Sequence, residues 1–143
     1  MKVLIVLIII AAVFNAAELN AQTYGRLYNK PDAEKIYGPV RKAHKIKTDD
    51  LLSLISKTNS ILMFKITEDG FMVLGDKRKR LFPAGAAVDD TVVFKAFSVS
   101  VIKELIEKGK EPFTSIEKRD EVISLTNGEY TMEFALGCPP NCF

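Results

Sequence analysis

The stretch EVISLTNGEYTMEF constrains the fold most, because Asn127-Gly128 is the preferred pair for a two-residue hairpin turn in which both residues take positive φ. With that turn, Leu125 opposes Tyr130 and Ile123 opposes Met132, while Thr126 opposes Glu129 and Ser124 opposes Thr131. Apolar and polar residues then separate onto opposite faces, as in an antiparallel sheet with one face covered by helices and one in water. A second hairpin is predicted upstream, where TEDG separates SILMFKI from FMVLG. There Gly70 takes the left-handed region, Ile66 meets Met72 and Phe64 meets Leu74.

Two helices are predicted to cover the sheet. Thr48 caps the first, with Asp49 and Asp50 at the positive end of its dipole and Leu51, Leu52, Leu54 and Ile55 on one apolar face, and it ends near Asn59. Ser98 or Ser100 caps the second, VSVIKELIEK, whose Val101, Ile102, Leu105 and Ile106 point inward; Gly109 stops it and Pro112 prevents its continuation. KPDAEKIYGPV reads as a short helical turn with Pro31 at a first helical position, and TVVFKAFS as a further strand. DKRKRLFPAGAAVDD is irregular, broken by Pro83 and Gly85. The expected fold class is α+β, a mainly antiparallel sheet with two main helices packed on one face.

The chain opens MKVLIVLIIIAAVFNAAELNAQ: one basic residue, an unbroken apolar run from Val3 to Phe14, then small and polar residues. That run falls well short of the roughly 20 residues that cross a bilayer, and the layout is that of a secretory signal peptide cleaved after Ala21. An uncleaved anchor is the competing reading, opposed by Asn15, Glu18 and Asn20. The expected organisation is a signal peptide over 1–21, a poorly ordered segment over 22–36 and a single domain over 37–143, with no membrane span after cleavage. Localisation is then periplasmic or secreted, and the style of the leader suggests a bacterial source. The 20 basic and 18 acidic residues leave a formal charge of +2, too even for a nucleic-acid binder.

Cys138 and Cys142 frame CPPNC. A thioredoxin-like pair would be separated by two residues and open a helix, and a metal site needs three or four ligands, yet His44 is the one histidine. A disulfide is the expected state, as export permits. Copper or zinc handling, or thiol redox chemistry at this pair, is the alternative. The second candidate is the cationic run Lys77, Arg78, Lys79 and Arg80, which suits an anionic polysaccharide, lipid or protein surface, set against a plain solvated turn. A further basic run, RKAHKIK, precedes the first helix. No serine sits in a nucleophile elbow, and glycine loops for phosphate are absent. Asp89-Asp90 and Asp120-Glu121 read as solvated loop acids, and Asp49-Asp50 as part of a helix start. The resulting expectation is a small exported binding or structural domain, with neither catalytic residues nor a cofactor.

Overall fold

The computed structural model of the protein describes residues 22–133 and 135–138, so the predicted leader and Cys142 lie outside the described residues. The strands are β1 (Arg26–Asn29), β2 (Lys42–Lys47), β3 (Ile61–Ile66), β4 (Phe71–Leu74), β5 (Arg80–Phe82), β6 (Phe94–Ser98), β7 (Phe113–Lys118), β8 (Ile123–Asn127), β9 (Tyr130–Glu133) and β10 (Leu136–Cys138). The helices are α1 (Lys30–Tyr37), α2 (Thr48–Ile55) and α3 (Val99–Gly109). A mixed α and β fold is as expected, but the strands form two antiparallel sheets rather than one, ordered β1-β9-β8-β7-β2 and β10-β6-β3-β4-β5. Among the described residues no helix is long and apolar enough to cross a membrane.

The second sheet follows from β3, whose ILMF is buried residue after residue. A strand apolar on both sides needs cover on both sides. Leu62 and Phe64, with Val73 and Phe97, face a core shared with Ile116, Leu125 and Met132 of the first sheet and with the apolar stripes of α2 and α3. Ile61 and Met63, with Leu74 and Phe94, face a second cluster closed by Tyr24, Val88 and Val92. The expected watery face is thus absent from this sheet. Nor is the stretch before α1 loose, since β1 pairs along β9 and Tyr24 is buried.

The topology is a duplication. β2-α2-β3-β4-β5 and β6-α3-β7-β8-β9 are each strand, helix and three-stranded meander, and each leading strand pairs with the other unit's meander. Ile46 of β2 faces Thr114 of β7 as Phe97 of β6 faces Leu62 of β3. Phe64 pairs with Val73 as Ile116 pairs with Leu125. Main-chain bonds repeat as well: Thr48 donates to the Pro112 carbonyl and Val99 to that of Ser60, while Thr67 donates to Gly70 and Arg119 to Val122.

Local expectations shift where this framework intervenes. In the Asn127-Gly128 hairpin, Asn127 pairs with Tyr130 and Leu125 with Met132, so Gly128 and Glu129 form the turn, and of the two only Gly128 has positive φ, 59°. A two-residue slip keeps every side chain on its predicted face. Asn127 stays in the strand because its buried amide is engaged: Oδ1 accepts from the Glu111 N–H at 3.0 Å, and Nδ2 lies within bonding distance of the Glu111 and Phe113 carbonyls. In the TEDG hairpin the slip is one residue. Ile66 pairs with Phe71 and Phe64 with Val73, Gly70 is not left-handed, and Met72 and Leu74 turn to the other face, where the second cluster receives them.

Neither expected helix cap forms. Thr48 begins α2 but its hydroxyl donates to the Glu111 carbonyl, and the Ser98 hydroxyl accepts from the Tyr24 N–H. Gly109 lies inside α3, where a Cβ would stand 2.1 Å from Asn127 Oδ1; the left-handed residue that ends the helix is Lys110, at φ 58°.

Candidate functional site

The outer strands of the two sheets, β2 and β5, border a shared concavity. Its floor is aromatic. Phe71 stacks on Phe82 with ring centroids 5.0 Å apart, His44 lies 6.2 Å from Phe71, and Phe113 is 48% exposed at the head of β7. The space divides into two adjoining parts of about 640 Å³ and 520 Å³, both reached by Lys45, Phe71 and Phe82. Lys47 and Lys57 rim the larger part and Arg80 the smaller, while Asp50 and Asp69 are the acids present. Cations therefore outnumber acids over an apolar floor. Buried His44 Nε2 has no hydrogen-bond partner, a deficiency that costs roughly 1–3 kcal/mol where no ligand or water relieves it.

Both basic runs contribute to this place. Lys45 and Lys47 arrive because β2 is an outer strand, and Lys42 fixes its position by donating through Nζ to the carbonyls of Thr67, at 2.8 Å, and Glu68, at 2.6 Å. Arg80 arrives at the start of β5. Its guanidinium also donates to the Pro83 and Ala86 carbonyls, at 2.7 and 3.0 Å, and so arches the following loop.

The predicted cationic run divides by role. Lys77 and Lys79 are exposed, and Lys77 and Arg78 both take left-handed backbone. Arg78 turns inward, with its guanidinium 5.4 Å from the Phe94 ring centre and donating to the carbonyls of Asp89 at 3.1 Å, Val92 at 2.9 Å and Cys138 at 3.3 Å. It pins the loop that carries Val88 and Val92 onto the second sheet. Only Arg80 of the four lines the concavity.

The acid pairs fill local roles. Asp49 and Asp50 lie in the first turn of α2, Asp89 accepts from the Thr91 N–H and hydroxyl, and Asp120 bonds Arg41 at 2.9 Å. Cys138 is buried, and Nη1 of Arg78 lies 3.4 Å from its sulfur. Among the described residues no group of three or more His, Cys, Asp or Glu could hold a metal ion.

A second charged cluster lies on the outer face of the first sheet, beneath α1. Arg119 donates to the Gly38 carbonyl, to Glu117 Oε2 at 3.2 Å and, through Nε, to the Ser124 hydroxyl at 3.1 Å. Glu133 Oε1 lies 3.1 Å from that same Nε, whose single proton is aimed at Ser124. Burial pushes the Glu133 carboxyl up to about 7, against the Ser124 hydroxyl and the Arg119 charge, which oppose the rise, while Glu117 adds to it. Burial likewise drives Tyr37 up to about 12, helped by its hydrogen bond to Tyr28. The polar groove beside this cluster, about 380 Å³, mixes Lys30 and Lys45 with Glu111, Glu117 and Glu129 and so has no cationic excess to hold an anion.

Sequence reading passed over Phe71, Phe82 and Phe113 as a set because they come from three separate strands. Two of them stand beside proline at a strand end, as Phe82-Pro83 and Pro112-Phe113. No family model, curated protein or solved structure matches the chain.

Proposed function

We propose that the protein is an exported, non-catalytic binding module that holds an anionic partner in the groove between β2 and β5. The observation that carries this reading is the convergence of Lys45 and Lys47 from one basic run, and Arg80 from the other, on the Phe71–Phe82 floor. Anionic groups answer the rim, and apolar parts of the partner cover rings that water now wets. Lys77 and Lys79, exposed in the turn before β5, are secondary contacts in this reading. Export rests on the leader, and pairing of Cys138 with Cys142 belongs to the same reading, supported by Cys138 not being a free thiol.

The test compares the protein with a Lys45→Glu, Lys47→Glu, Lys57→Glu variant, titrated at low salt against dextran sulfate, phosphatidylglycerol vesicles and an acidic peptide. Reversing three rim charges should weaken binding of the responsive probe about tenfold or more and flatten its salt dependence. Equal binding by the two proteins to all three probes removes the groove from the function.

A further inference from the structure

We infer that the groove takes its partner as an acidic extended polypeptide, added as a strand along the free edge of β2. This inference rests on the anion-binding reading above and narrows it. The duplicated topology points to the place. β6, the counterpart of β2, is flanked on its far side by β10, with Leu136 opposite Ala96 and Cys138 opposite Phe94. β9, the counterpart of β5, is flanked by β1. β2 and β5 have no such flanking strand among the described residues, and their free sides border the groove.

Main-chain direction agrees with that place. The Thr48 N–H bonds the Pro112 carbonyl, so by the alternation of an antiparallel ladder Ile46 and His44 turn their main-chain groups to β7, while Ala43, Lys45 and Lys47 turn theirs outward. At the matching position on β6, the Ser98 N–H is answered by the Tyr24 carbonyl at 2.8 Å. Among the described residues Lys47 has no equivalent of Tyr24. A row of donors and acceptors pointed outward is what strand addition uses, with side-chain pockets supplying selectivity.

Lysines on an outer strand usually discourage pairing, and here they choose the partner. A second copy of β2 would set lysine against lysine, whereas a strand carrying Glu or Asp at alternate positions neutralises Lys45 and Lys47. Its remaining side chains, if apolar, lie over Phe71 and Phe82. Charge and main-chain pattern together favour a polypeptide over a lipid or glycan, neither of which continues a sheet.

The experiment titrates the protein with an eight-residue peptide of alternating Glu and Val, and with the same peptide N-methylated at alternate backbone amides, while amide hydrogen exchange is followed by NMR. Binding of the first peptide, at least tenfold weaker binding of the second, and slowed exchange at Ala43, Lys45 and Lys47 together support strand addition. Equal binding of the two peptides overturns it and leaves the anion-binding reading intact. So does groove-dependent binding of dextran sulfate or vesicles with no peptide bound. Slowed exchange at these amides on raising protein concentration alone also overturns it, by making a second copy the occupant. If no probe binds in a groove-dependent way, both readings fall.

Discussion

Asp76 is the acid of DKRKR, and it organises the turn that the four cations decorate. Its carboxylate accepts from the N–H groups of Asn59 at 2.8 Å, Ser60 at 3.1 Å and Ile61 at 3.0 Å, and its own N–H donates to the Thr58 hydroxyl at 2.9 Å. Burial alone would raise this carboxyl, but those bonds outweigh it and hold it below the usual range. The stability it contributes is therefore present above the unfolded value of 3.8 and lost as pH falls through the lower folded value. Asp76→Asn should lose about 2–3 kcal/mol at pH 7, measured by urea unfolding, with a smaller difference in acid. Lys77 tests the same turn from the backbone side, at φ 55° and ψ 28°. Left-handed backbone costs a non-glycine residue about 1–2 kcal/mol, less the extra chain entropy of glycine, so Lys77→Gly should gain about 0.5 kcal/mol. Arg78→Gly relieves similar strain yet should destabilise, because it removes the bonds to the Asp89 and Val92 carbonyls.

Among the elements, α1 rests on the outer face of the first sheet with Ala33 fully buried, and the carboxyl of Glu133 lies fully buried on that same face. Since the folded value is raised from 4.5 to about 7, the stability linked to this group is fully present below about pH 4.5 and lost as pH rises through about 7. The shift corresponds to about 3 kcal/mol. Glu133→Gln should abolish most of that slope, seen as urea midpoints that differ between pH 5 and pH 8 in the parent protein and much less in the variant; parallel profiles would remove Glu133 as the source. A second contact between elements is tighter still. The α3 backbone at Gly109 touches Asn127 so closely that Gly109→Ala should destabilise by about 3 kcal/mol, read as a lowered melting temperature. These elements also mark how far sequence reached. Both main helices, β8 and β9 were legible from a clean apolar period, and β3, β4 and β6 from short runs rich in branched and aromatic residues. β7, with Thr114 and Glu117 both buried, and β5, three residues inside an irregular stretch, gave no such period. The missed caps and the shifted Asn127-Gly128 turn share one cause: Thr48, Ser98 and Asn127 bond residues distant in the chain, which local spacing does not report.

For the whole molecule, the duplication escaped sequence reading because register is repeated rather than residue identity. Ile46 answers to Phe97, Leu62 to Thr114 and Val73 to Leu125, so only position in the ladder is common to each pair. The candidate groove was legible in its charges and not in its floor, because no local window joins β2, β4, β5 and β7. The exchange of leading strands also makes a physical demand: neither unit holds a complete sheet. If the first unit were released, β2 would leave β7 and β6 would leave β3, opening backbone ladders at Ile46 and Phe97 that lie in the shared core. The two units should consequently unfold as one. The exposed run from Pro83 to Ala87 joins them and lies outside the strands, so a protease site placed there should be cut readily. After the cut, denaturing gels should show two fragments, while size-exclusion chromatography in native buffer should show one species of unchanged size, held by β2–β7 and β3–β6 pairing. Fragments that separate in native buffer would show that each unit carries its own sheet, and would remove the basis for treating the open side of β2 as the counterpart of the β10 position.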